Sequence, residues 1–440
     1  MKEYKSIDDI NKDFIKYLIN REAEPDDPKL QSLVFDKGPI WYRGYFDKNQ
    51  VTADTISEIL DILDQDMIVV GHTSQDEITV VNDGLVIGID CSIKLGKKAE
   101  GLLINDKGYF RCKQDGDRVT LKVAGQEKRA SLFDHLYDSE SMPLIDITTN
   151  VKRLFNKAEK EEYEASFSSI SYDDRSFMLP TRVRARGNIR KKVCNYPPIK
   201  VDFKAGHLDS MGYDRSDKLK LVLPCDGKSY NQQRLYSEYF LYGLYQHIEP
   251  QGIRAKLAHV VLRNEDEVKK DVIGFLVEDE EQYALQHDAK VIEKGVVTEY
   301  ALERSSFLKM CFFQYLISNT DWSISSKHNV ELVKLPENKQ VIALPYDFDY
   351  SGFVGQNYAV PHESLPIKSV HERYFVAREI SDKEIDTMVT YYLGLEERLH
   401  NHIDEATYLS EKSKERHHKH FNEFYKMLRK PKSLKRQLRH

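Results

Sequence analysis

Behind Ser6-Ile7-Asp8-Asp9, which reads as an N-cap with an acidic first turn, Ile7, Ile10, Phe14, Tyr17 and Leu18 recur at helical spacing, so the chain is expected to open on a helix. After a break rich in Pro and Asp, Ile56, Ile59, Leu60 and Leu63 repeat the pattern and predict a second helix from Thr52 to Leu63. From Met67 the period shortens. Apolar runs at 67–70, 78–81, 85–89, 101–104 and 119–123, punctuated by Asn82-Asp83-Gly84 and Asp106-Lys107-Gly108, predict strands of one sheet system ending near residue 125. The polar, irregular stretch 126–145 reads as a linker.

A new unit follows. Strands are expected at 182–186, 199–203 and 219–223, then a helix from about Gln232 to His247 stopped by Glu249-Pro250-Gln251-Gly252, then strands at 258–262 and 272–277. Together they describe a mixed α+β lobe. The segment Tyr300 to Ser318 is apolar on most faces, so it is expected to be a buried helix that delivers the chain to Asn319-Thr320-Asp321-Trp322. Ser381-Asp382-Lys383-Glu384 is a capping box opening a helical end.

Composition narrows the class. At 440 residues the chain exceeds what one hydrophobic core supports, which favours two or three domains. An apolar content of 40% builds cores, and 31% charged residues solvate the surface. There is no run of about eighteen apolar residues, and MKEYKSIDDI lacks the flanks of a signal peptide, so neither membrane nor export is expected and the location expected is cytoplasmic. The five cysteines are scattered without a CxxC pair, pointing to buried free thiols in a reducing compartment. Residues 411–440 carry eleven Lys or Arg against three Glu, a solvated basic helix end or a contact for an acidic partner, with nucleic acid the less expected one.

Phosphoryl transfer needs a cation on the nucleotide phosphates, carboxylate or amide oxygens on Mg²⁺, a base beside the acceptor hydroxyl and a water-poor cleft. Asp321 and Asn329 follow the buried helix, and the strand at 341–344 runs into Pro345-Tyr346-Asp347-Phe348-Asp349. Singly, each of these reads more readily as a turn cap or a solvated strand end. In order, they read as a phosphoryl-transfer centre.

Asn319-Thr320-Asp321, the later Asn329 and Asp347-Phe348-Asp349 resemble the signature of the CotH family of atypical spore-coat kinases and, more distantly, the HipA-like kinases. Arg184-Ala185-Arg186-Gly187-Asn188 and Pro197-Pro198-Ile199-Lys200 resemble the CotH "RGN…P…K" stretch, and Gly274-Phe-Leu-Val-Glu278 its inter-lobe connection. The resemblance spans about residues 180 to 355. It implies a two-lobed kinase-like fold using ATP and Mg²⁺, with Asp321 as catalytic base and Asn329, Asp347 and Asp349 at the metal. It also implies Lys200, Arg186 and Glu278 at the nucleotide, and Glu238 or Glu278 as partner of Lys200. The acceptor would be a protein or a small hydroxyl compound. Ile189 stands where the family has a serine.

Upstream, Gly38-Pro39-Ile40-Trp41-Tyr42-Arg43-Gly44, Gly71-His72-Thr73 and the strands that follow resemble the C-terminal half of bacterial calcineurin-like metallophosphoesterases of the Shewanella type. There His72 would ligate one of two metals (Mn, Fe or Zn in a complete domain) and Arg43 would face the substrate phosphate. The GDxH, GDxxDRG and GNHE segments of that family do not precede residue 38, and one His cannot hold a dinuclear site. The stretch is therefore expected to be part of a longer phosphatase–kinase fusion, or else a scaffold packed on the kinase unit.

The resulting expectation is an α+β chain: a partial calcineurin-like α/β sandwich at 1–125, a linker at 126–145, a CotH-like kinase domain at 146–375 and a helical basic extension at 376–440. An ATP-dependent phosphotransferase is the first function expected. The alternatives are a metal-dependent phosphatase whose kinase-like unit only positions partners, and a non-catalytic binding module.

Overall fold

The helical spacing at the N-terminus closes into α1 (Ile7–Leu18), and Thr52, accepting from the Thr55 amide, caps α2 (Ala53–Leu63). The computed structural model describes residues 6–18, 33, 42–47, 50–96, 99–105, 108–121, 123–124, 129–156, 162–292, 295, 297–335, 340–377 and 379–439. They fall into two units, Met1–Lys128 and Arg129–His440. The fold is α+β throughout.

In the first unit β1 (Ile68–Val70), β2 (Thr79–Val81) and β3 (Val86–Gly88) form a sheet in the order β1-β3-β2, with β1 parallel and β2 antiparallel to β3. β3 has neighbours on both sides. The strands that follow, β4 (Glu100–Asn105), β5 (Gly108–Lys113) and β6 (Arg118–Leu121), therefore build a separate antiparallel sheet rather than extending one system. Ile56, Leu60 and Val86 centre one small core, and Ile78, Ile87, Leu121 and Val123 another.

The second unit begins inside the stretch read as a linker. Ser131 and Asp134 form a capping box on α3 (Leu132–Asp138), which buries Leu132, Phe133 and Leu136; the polar look of the sequence came from the cap, while the apolar face points inward. β7 (Leu144–Thr149), α4 (Val151–Asn156), β8 (Glu164–Tyr172), β9 (Arg175–Ala185), α5 (Arg190–Val193), β10 (Ile199–Phe203), α6 (Ala205–Ser210) and β11 (Lys218–Val222) follow. After α7 (Ser229–Ile248) come β12 (Ala255–Asn264) and β13 (Glu267–Val277). The seven strands close into a barrel, β10-β11-β13-β12-β7-β8-β9, in which only β7 and β12 run parallel. Alternation along β8 and β9 turns Ile170 and Val183 inward and Arg182 outward, and Ile145, Val201, Leu221, Val260 and Leu276 complete the barrel core.

The lower half is helical. It comprises α8 (Glu280–His287), β14 (Lys290–Val291), α9 (Arg304–Leu316), the hairpin of β15 (Val330–Lys334) and β16 (Ile342–Pro345), α10 (Asp382–Glu405), α11 (Glu411–Leu428) and α12 (Pro431–Gln437). As its all-round apolar sequence requires, α9 is buried along its length, with Phe307, Phe312, Phe313 and Leu316 in one core with Phe240, Tyr392 and Phe424. The basic end is built into that core through Phe421, Tyr425, Leu428 and Leu434. Several of its cations pair with α10: Lys435 with Asp386 at 2.7 Å, Arg439 with Asp382 at 2.5 Å, and Arg429 with Glu396.

One cysteine expectation is overturned. Cys194 at the end of α5 and Cys225 beyond β11 are disulfide-bonded with Cα atoms 4.6 Å apart, while Cys91, Cys112 and Cys311 are free. Scatter in sequence did not prevent pairing because the loop before β10 folds back beside the end of β11. Among the described residues no helix is long and apolar enough to cross a membrane.

Candidate active site

A cavity of about 210 Å³ opens between barrel and helical half, lined from above by Arg186, Arg190, Lys220, Val222 and Glu278 and from below by Asp321, His328, Asn329, Asp347 and Asp349. α9 positions its floor. At its end Ser318 turns left-handed (φ +52°) and Asn319, 1% exposed, takes the Asp321 amide onto Oδ1 at 3.0 Å while its Nδ2 donates to Gln314. The loop beyond closes as a miniature hairpin, Ser323 and His328 exchanging backbone hydrogen bonds at 3.0 and 2.9 Å.

That closure returns Asn329 to Asp321. Asn329 Nδ2 donates to the Asp321 carbonyl (2.8 Å) and to Oδ2 (3.0 Å), and His328 Nε2 lies 3.0 Å from Oδ1. With its nitrogen so engaged, the Asn329 side chain presents its oxygen as an acceptor. Asn329 (φ +53°) and Asp347 (φ +58°) both occupy the left-handed region, a conformation that costs roughly 1–3 kcal/mol at a non-glycine residue and concentrates at functional sites.

β16 supplies the opposing wall. The Asp347 amide donates to Tyr242 Oη at 3.1 Å, and Phe348, fully buried against Tyr242 and Phe313, anchors the turn so that Asp347 and Asp349 flank it. Asp349 Oδ2 accepts from Tyr358 Oη at 2.8 Å. Burial, reinforced by Asp347, pushes the Asp349 carboxyl well up, with Arg190 opposing. Burial likewise raises Glu238, to about 7, against the pull of Arg190. For Arg190 burial works against the charge, yet Tyr358, Glu238, Asp349 and Asp347 hold it protonated.

The cations are arranged differently from the sequence expectation. Lys200 and Lys220 face each other across β10 and β11, but Lys220 lines the cavity and Lys200 does not. Neither expected partner meets Lys200: its Nζ lies 3.7 Å from Asp279 Oδ2, the oxygen that Lys220 approaches at 3.1 Å. Glu238 instead holds Arg190 at 3.1 Å. Glu278 lines the cavity with its carboxylate committed to Arg254, through Nη2 at 2.6 Å, Nε at 3.1 Å and the backbone amide at 3.0 Å; Arg254 also bonds Asp134 on α3 at 2.6 Å. Lys220 was recognisable as the outward residue between Leu219 and Leu221. Arg190 was not, because Arg-Lys-Lys reads as an exposed basic run.

Asp347, Asp349 and the Asn329 amide oxygen are the groups that could hold a divalent cation, two carboxylates and one amide. Glu238, Asp347 and Asp349 surround one buried cation, Arg190, an excess of acid that burial penalises and a hard cation with oxygen ligands offsets. Val222, Ile253 and Val277 add an apolar flank.

In the first unit Arg43 and His72 are both exposed, His72 with φ +67°. The Gly38 to Trp41 part of the phosphoesterase-like motif lies outside the described residues. Among the described residues no group of three or more His, Cys, Asp or Glu is placed to hold a metal.

No protein-family model and no curated protein matches the chain. Among solved structures, a cold-active protein tyrosine phosphatase is 38% identical over 26% of this chain and 34% of its own, with a TM-score of 0.24. The cold-active protein-tyrosine phosphatase of the psychrophile Shewanella sp. is 37% identical over 26% and 35%, also with a TM-score of 0.24. The chain thus spans about a third of the length of these phosphatases. The Helicobacter pylori proinflammatory kinase CtkA is 12% identical over 55% of this chain and 90% of its own, with a TM-score of 0.33.

Proposed function

We propose that the second unit is an ATP- and Mg²⁺-dependent phosphotransferase of the atypical, CotH-like kind, acting on a hydroxyl of a protein or small molecule. The observation that carries this reading is the convergence on one cavity of Asp321, Asn329, Asp347 and Asp349 with Arg186, Arg190 and Lys220.

Bound Mg·ATP supplies the phosphoryl group and neutralises its charge. Asp321 takes the acceptor's proton, held in place by His328 and Asn329 through one carboxylate oxygen each, which leaves each oxygen a further lone pair. The Asn329 oxygen with Asp347 and Asp349 would hold the metal. Arg186 and Lys220 carry positive charge over the phosphates, and the apolar flank keeps water from the nucleobase. The first unit is read as the C-terminal part of a calcineurin-like phosphoesterase, with Arg43 and His72 the positions such an activity would use.

The test is phosphate transfer from γ-labelled ATP to the chain itself or to a mixed protein acceptor, with and without Mg²⁺, for wild type and Asp347→Ala. Magnesium-dependent label lost in the variant supports the reading. Equal labelling of both proteins would sink it.

A further inference from the structure

Arg190 is enclosed to 4% exposure at the mouth of α5, and most of its guanidinium is occupied. Nη1 meets the two Glu238 oxygens at 3.4 and 3.1 Å, and Nη2 donates to the Leu223 carbonyl at 3.2 Å. Among the donors left over, Nε–H is buried and has no hydrogen-bond partner in the protein. Asp349 Oδ2 stands 3.9 Å from it, beyond hydrogen-bond reach. A buried donor left unmade is costly, and Arg190 is one of the residues that line the cavity.

The surroundings select the kind of ligand group. Glu238 projects from α7, the helix that follows β11 and precedes the inter-lobe connection, and it fixes the guanidinium plane from behind. The Cys194–Cys225 disulfide ties the end of α5 to the segment entering α7, so the two partners are also linked through the chain. A planar, permanently charged fork held on one edge presents its other edge to an anionic oxygen.

We propose, building on the phosphotransferase reading, that Arg190 binds a phosphate oxygen of the nucleotide through Nε–H. The Glu238–Arg190 pair thereby takes the place that a strand lysine paired with a helical glutamate holds in protein kinases.

Nucleotide binding to the full chain, measured by calorimetry with ADP and with adenosine in Mg²⁺, tests this. In Arg190→Met/Glu238→Gln, which removes the arginine together with its nearest carboxylate, ADP affinity is expected to fall by about 10- to 100-fold while adenosine affinity stays at the wild-type value. Arg190→Lys, which keeps the charge opposite Glu238 but lacks the Nε donor, is expected to lose ADP affinity by about 10-fold and serves if the double variant does not fold. Unchanged ADP affinity in either folded variant overturns the assignment, as does an equal loss for ADP and adenosine, which marks a purely structural role. Wild type binding neither compound overturns the phosphotransferase reading together with the role of Arg190.

Discussion

Asn329 holds Asp321 twice, by its backbone carbonyl at 2.8 Å and by its carboxylate at 3.0 Å, across a loop of eight residues. One amide thus fixes both the path of the chain and the rotamer of the candidate base. Removing the carboxylate in Asp321→Ala is expected to cut phosphate transfer by about 10²- to 10⁴-fold while nucleotide binding persists. Asn329→Ala is expected to lower both, since the same side chain is a proposed ligand of the metal. Parallel transfer and calorimetric measurements separate the two, and a transfer-competent Asp321→Ala would remove that residue from the chemistry.

The paired lysines make a second prediction. Lys220 lines the cavity, whereas Lys200 is outside its lining and shares Asp279 Oδ2 with Lys220. Lys220→Met is expected to weaken ADP binding by about 10-fold or more, and Lys200→Met by less than threefold or so. An inverted order would return the phosphate role to Lys200.

These two sites show what the sequence carried. The loop after α9 and the acidic turn after β16 could be placed because a buried helix and an apolar strand have strong periodicity, and polar residues at their ends have few other reasons to be there. The choice between Lys200 and Lys220 depends on strand register, since alternate residues on two adjacent strands face the same way. Arg190 depends on tertiary burial alone. The barrel was missed for a related reason: β8 is rich in serine, and Ser166 and Ser168 are buried only because both find Thr181 Oγ1 at 2.8 Å.

Acid sensitivity is built into the helical half. Burial, with His247 beside it, pushes His402 down to about 4, and burial with Arg373 nearby pushes His420 down to about 3. Unfolded histidine takes up its proton near 6.5. These folded values are depressed, so the stability from keeping both rings neutral is present above pH 6.5 and lost as pH falls towards 4 and then 3. Glu238 and Glu331, both raised to about 7, act in the opposite sense. The readout is therefore a difference: His420→Gln, which retains a donor for the Leu316 carbonyl, is expected to lose less melting temperature than wild type between pH 7 and pH 5. Parallel curves would refute it.

The disulfide gives a prediction independent of activity. Denatured without reductant, the chain should expose three titratable thiols, and with reductant five. Cys194→Ser/Cys225→Ser is expected to lower stability by roughly 2–4 kcal/mol for a loop of this span, read from denaturant unfolding. Five thiols without reductant would show the pair to be open.

The closed barrel has a mechanical consequence. A sheet that joins its own ends has no margin at which a strand can peel away or a foreign strand can be added. Its packed interior resists shear as well. At its margin towards the helices the connection at Glu278 is tied through Arg254 to Asp134 of α3, so this corner of the cavity is braced by buried ion pairs.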